Sequence, residues 1–106
     1  MFKTKKDTFT FHTDPGHGWL EVPKALLAEF GIQWSVSSFS YQSGDSAYLE
    51  EDCDAGIFVR AYQDKHGRRP EFVERYEEDS PIRNYSRYQA GSGGGDETAH
   101  IRASMA

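Results

Sequence analysis

The sequence predicts an α+β domain: one mostly antiparallel sheet of four or five strands with two helices on one face, in the order ββαββαβ. Three observations predict it. Short runs alternate apolar and polar residues with period two. Two other runs place apolar residues at helical spacing. Pro, Gly and Asp punctuate the junctions between them. Hairpins interleaved with helices build a sheet with helices gathered on one side. At 106 residues the chain is one domain, and residues 1–89 are assigned to it.

Thr8-Phe9-Thr10-Phe11-His12 alternates, so Phe9 and Phe11 face inward. Asp14-Pro15-Gly16 is a turn: Asp accepts from its own backbone, Pro presets φ, and Gly tolerates positive φ. Gly18-Trp19-Leu20-Glu21-Val22 is the return arm of a hairpin. Pro23 suits a helix start, Leu26, Leu27 and Phe30 share a helical face, and Gly31 suits the stop. Residues 32–41 lean toward strand, with Trp34, Val36, Ser38 and Ser40 alternating against Ser35, Ser37, Phe39 and Tyr41. A turn at residues 42–45 leads to a strand over 46–50, with Ala47 and Leu49 on one face and Tyr48 and Glu50 on the other.

Asp52 or Asp54 is then expected to cap a helix running to about Lys65, with Ile57, Phe58, Ala61 and Tyr62 as its apolar face. Residues 66–70 end it. Glu71-Phe72-Val73-Glu74-Arg75-Tyr76-Glu77 reads as a last strand at a sheet edge, where its charges deter unwanted pairing. Residues 80–88 form a polar, aromatic tail piece. From residue 90 the composition, with Gly91-Ser92-Gly93-Gly94-Gly95, is that of a flexible tail through 106.

The apolar fraction is low at 37%, so the seven Phe, six Tyr and two Trp must carry much of the burial. A net charge of −5 argues against nonspecific duplex binding, which draws its affinity from Lys and Arg. A single cysteine, Cys53, cannot form an internal disulfide. No run approaches the ~20 apolar residues that span a bilayer. Lys3, Lys5, Lys6 and Asp7 interrupt any signal-peptide core. The expectation is a cytoplasmic protein with no membrane partner and no cofactor.

His12, Asp14 and His17 form the best metal-like cluster, since imidazole and carboxylate suit a divalent ion. The spacing matches no established zinc motif, and turn-building explains the same residues. The run Glu50-Glu51-Asp52-Cys53-Asp54 could hold a hard cation or an acid–base pair, but it lacks an EF-hand pattern and also reads as a capping segment. Cys53 lies near a helix start, which would activate a thiol, yet its carboxylate neighbours oppose that; a buried structural thiol is expected. Arg68, Arg69, Arg83, Tyr85, Arg87 and Tyr88, with Trp19, are the candidate binding residues, because Arg, Tyr and Trp dominate protein interfaces and also grip nucleic acid.

Two resemblances rest on these residues. The segment His12-Thr13-Asp14-Pro15-Gly16-His17-Gly18-Trp19-Leu20, with Leu26, Gly31-Ile32, Ser40-Tyr41 and Tyr48-Leu49-Glu50-Glu51-Asp52-Cys53-Asp54, resembles a group of short uncharacterised proteins of bacteriophages, plasmids and bacterial genomes. It spans roughly residues 9–88 and implies a mobile-element context without implying a chemistry. Residues 20–32 more distantly resemble the strand–Pro–short-helix–Gly core of swapped-hairpin transition-regulator and antidote domains. Those dimerise and bind DNA through basic residues; here only Lys24 and the N-terminal lysines offer that charge.

The leading expectation is a non-enzymatic binding protein that occupies a surface of a host protein, for instance one of a defence system. The alternatives are a small nucleic-acid-binding regulator, a metal-dependent hydrolase using His12, Asp14 and His17, and a protein that sequesters a small ligand. Oligomeric state is not legible in the sequence.

Overall fold

The computed structural model of the chain describes residues 8–90. The elements run β1 (Thr8–Thr13), β2 (Gly18–Pro23), α1 (Lys24–Glu29), β3 (Tyr41–Ser43), β4 (Ser46–Glu50), α2 (Ala55–His66) and β5 (Glu71–Tyr76); a 3-10 helix (Pro81–Asn84) and β6 (Ser86–Arg87) follow. The α+β class holds. The sheet differs from expectation in having six strands among the described residues, ordered β5-β1-β2-β4-β3-β6, and in being mixed, because β5 pairs parallel to β1. The cause is the α2 connection. β4 runs parallel to β1 because each is antiparallel to β2. A helical crossover returns the chain in that same direction at the far edge.

Alternation sorts the sheet into two faces. On the helix side, Phe9, Leu20, Val22, Ala47 and Leu49 join Leu27 of α1 and Phe58 and Tyr62 of α2 in one buried cluster. Its centre is aromatic. Phe58 meets Phe9 edge-on at 5.1 Å and stacks on Phe30 at 5.7 Å. Such pairs add about 1 kcal/mol each beyond area burial. The compositional argument that rings must carry the burial is therefore realised here.

Glycine is required at two places in the sheet. Gly44, at φ +59°, makes the tight turn between β3 and β4. Gly18 has no room for a side chain: a Cβ there would lie 2.8 Å from the Phe11 ring and 2.8 Å from Glu51 Oε1. α2 ends as expected, at Gly67, whose φ of +73° is left-handed and whose N–H donates to Gln63 O.

Three local expectations are corrected. Residues 32–40 contain no strand; they are turns, and pairing begins only at Tyr41. Serines between the large residues favour side-chain hydrogen bonds over a ladder: Ser37 Oγ accepts locally from Phe39 N, and the Ser37 and Ser40 hydroxyls donate to the distant Asp54. Asp54 occupies the N-cap position of α2, but its side chain does not cap the helix. Residues 80–88 are not a loose tail piece: Ser80 caps the 3-10 helix, Ile82 is buried, and β6 pairs with β3. Ala90 packs against the core; the rest of the expected tail lies outside the described residues.

Candidate functional site

The face of the sheet away from the helices collects most of the residues singled out by sequence. Register places Glu21, Tyr48, Tyr41 and Arg87 in one row across four strands, and His12, Trp19 and Glu50 in the next. The segment carrying the 3-10 helix and β6 then closes over this face. Arg83 forks onto Asp14, with Nε to Oδ2 at 2.6 Å and Nη2 to Oδ1 at 3.0 Å. Its guanidinium also lies over the Trp19 ring, 5.4 Å from the centroid. His17 stacks on the same indole at 5.9 Å, and its Nδ1 is 3.0 Å from Arg83 Nη2. Arg87 lies over Tyr41 at 4.8 Å, and Tyr85 meets Tyr48 at 5.1 Å.

This is a built cluster whose charged groups pair with one another, while the buried Trp19 Nε1 has no hydrogen-bond partner. Trp19 is 2% exposed, so it cannot meet a partner. Arg83 and Arg87 each have a ring beneath and an oxygen in reach, Arg87 donating to Ser38 O at 3.2 Å. Tyr88, another interface candidate, is buried in the core, and its hydroxyl donates to Gln33 O at 2.7 Å. Arg68 and Arg69 lie elsewhere, in the turn after α2, with Arg68 over Tyr62 at 6.0 Å. The single basic–aromatic patch expected from sequence is thus split across the two faces of the sheet.

The metal trio is taken up by other contacts, with Asp14 and His17 sharing Arg83 and His12 paired elsewhere. His12 pairs with Glu21, Nε2 to Oε1 at 2.8 Å. Asp14 gives Oδ1 to the backbone N–H groups of Gly16 and His17, at 2.9 and 2.8 Å, and shares both oxygens with Arg83. Among the described residues no group of three His, Cys, Asp or Glu side chains is arranged to hold a metal ion. Turn building and the Arg83 pairing together engage both Asp14 oxygens.

The Arg83 guanidinium, ahead of the two turn N–H groups, holds the Asp14 carboxyl well below the usual carboxylate range. Its folded pKa is depressed, so its contribution to stability is present above the unfolded pKa and is lost as pH falls through the folded one. The melting temperature should therefore drop below about pH 4. Asp14→Asn should lower the neutral-pH melting temperature and flatten that acid limb, which thermal melts across an acid series would show. At the other end of the range, burial, ahead of the Glu21 and Tyr85 neighbours, pushes Tyr48 up to about 12. Tyr48 therefore stays a neutral phenol at physiological pH.

The 50–54 run also resolves into structure. Glu50 Oε1 accepts from Asp52 N at 2.9 Å. Asp54, 2% exposed, reaches across to residues 31–40. Its Oδ2 accepts from Ser37 N at 3.1 Å, Ser37 Oγ at 2.8 Å and Ser40 Oγ at 2.5 Å. Ser40 in turn accepts Glu50 N on Oγ, and Tyr88 N on its carbonyl. Cys53 is exposed rather than buried. Its thiol is pushed up, first by its hydrogen bond with Glu50, then by desolvation, and further by the carboxylates around it.

What this network fastens is a surface that sequence reasoning passed over. Trp34 is 67% exposed and Phe39 63% exposed, both on the 31–40 loop. The same loop gives Ile32 to a shallow groove that Cys53, Ile57 and Ala61 of the α2 side complete. The available signal was composition: two large aromatics among four serines fit neither face of a strand. Comparison with protein families, curated proteins and solved structures finds no match to this chain. The site must be judged on its geometry.

Proposed function

We propose that this chain is a protein-binding module that acts by occupying a surface of a host protein, an inhibitor-like role in keeping with the phage- and plasmid-type resemblance. One observation carries the reading: Trp34 and Phe39 stand exposed on a loop held in place by Asp54. Large exposed aromatics are costly in water and are typical interface anchors. A fastened loop presents them with little ordering entropy left to lose on binding. The nucleic-acid reading has less support, since Arg83 and Arg87 are engaged within the fold and net charge is −5. The hydrolase reading has less support, since His12 pairs with Glu21 and Asp14 with Arg83.

Capture from bacterial lysate tests the proposal. The wild-type chain is expected to retain a specific protein that the folded Trp34→Ser/Phe39→Ser variant does not. Equal capture by both would remove the loop from the account.

A further inference from the structure

The outer edge of β5 matches itself. β5 is the last strand of the sheet on its side. The Glu77 N–H donates to Thr13 O, which fixes the alternation: residues 73 and 75 turn their backbone groups toward β1, and residues 72, 74 and 76 turn theirs outward. Three large apolar side chains on this edge are exposed: Phe72 at 42%, Val73 at 56% and Tyr76 at 56%. The strand also has a basic flank, Arg68-Arg69, and an acidic one, Glu77-Glu78-Asp79.

We propose that two copies of this chain dimerise by antiparallel pairing of β5 with β5, about a two-fold axis through Val73, into one continuous sheet. An axis normal to the sheet allows only registers that pair residues of the same face, and charge selects among them. Centred on Val73, Glu71 of each copy faces Arg75 of the other. Beyond the strand ends, the basic Arg68-Arg69 flank of each copy lies toward the acidic Glu77-Glu78-Asp79 flank of the other. Centring on Glu74 would oppose Glu74 to itself and Glu71 to Glu77. Centring on Phe72 would oppose Arg75 to Arg69.

Backbone and packing agree with the same register. The outward groups of Phe72 and Glu74 exchange hydrogen bonds twice across the axis. The two Val73 side chains meet as a non-hydrogen-bonded pair, where side chains approach nearest. On the helix side, Phe72 lies diagonal to Phe72 and Tyr76 of the other copy, a spacing that rings can bridge. The ion pair of Arg75 with Glu77, 3.5 Å apart on exposed side chains, is of the weak surface kind and exchanges partners at little cost. Charges that deter edge pairing in general thus admit one arrangement.

Sedimentation equilibrium of the full chain at neutral pH tests this. Wild type should show a concentration-dependent dimer. Arg75→Glu, or Glu71→Arg, sets like charges opposite one another twice and should weaken the dimer by about tenfold or more. Mixing the two variants should restore a heterodimer, because every Glu then faces an Arg; this recovery also excludes misfolding as the cause of the loss. A wild type that stays monomeric at all concentrations, a dimer indifferent to both swaps, or no recovery on mixing would overturn the proposal.

Discussion

Asp54→Ala is expected to lower stability by about 3 kcal/mol. The carboxylate is buried and accepts three hydrogen bonds on one oxygen, two from Ser37 and one from Ser40. Removing it leaves the fully buried Ser40 hydroxyl and the Ser37 donors without that acceptor. An unmade buried hydrogen bond costs the desolvation of the group left behind, which exceeds what the bond itself contributes. For a domain this small the loss is a large share of the total, and the melting temperature should fall by roughly 10–20 °C. Amide exchange should rise first in residues 31–40 and around Tyr88, whose N–H rests on the Ser40 carbonyl. Asp54→Asn, which keeps an acceptor oxygen, should recover part of the stability. Urea or thermal unfolding of the three proteins measures this.

Removing the two exposed aromatics should produce the opposite pattern. Trp34→Ser/Phe39→Ser is expected to leave stability within about 0.5 kcal/mol of wild type, because neither side chain is buried. Affinity for the captured partner should fall by about a hundredfold or more, since central aromatic anchors each carry a few kcal/mol at interfaces. Arg68→Ala/Arg69→Ala, on the turn after α2, should change that affinity little. Asp54→Ala ties the two results together: it keeps both aromatics but frees their loop, so binding should weaken while the contact chemistry is unchanged.

Where periodicity and turn chemistry act locally, the sequence was readable. Phe9 faces the core as its alternation requires, the 14–17 turn is closed by the Asp14 carboxylate, and Ala47 and Leu49 are buried opposite Tyr48. What it did not show depends on distant segments. Nothing local to β5 says that it returns parallel to β1, nor that residues 80–88 fold over Trp19 and turn an expected interface residue into a buried one. Asp54 illustrates the limit most clearly. Its position before a helix fits a cap, yet its partners are Ser37 and Ser40, more than a dozen residues upstream. The exposed pair was hidden for the same reason: until that bond is known, residues 32–41 read as a strand.

The proposed recognition runs through the Trp34–Phe39 loop and not through the Arg and Tyr cluster on the sheet. Site-directed photo-crosslinking tests it most directly. A benzoylphenylalanine is placed at Phe39 in one protein and at Tyr85 in another, and each is irradiated in bacterial lysate. One discrete covalent adduct is expected from position 39, to the same protein that wild type captures, and none from position 85. An adduct from position 85 with none from position 39 would contradict it.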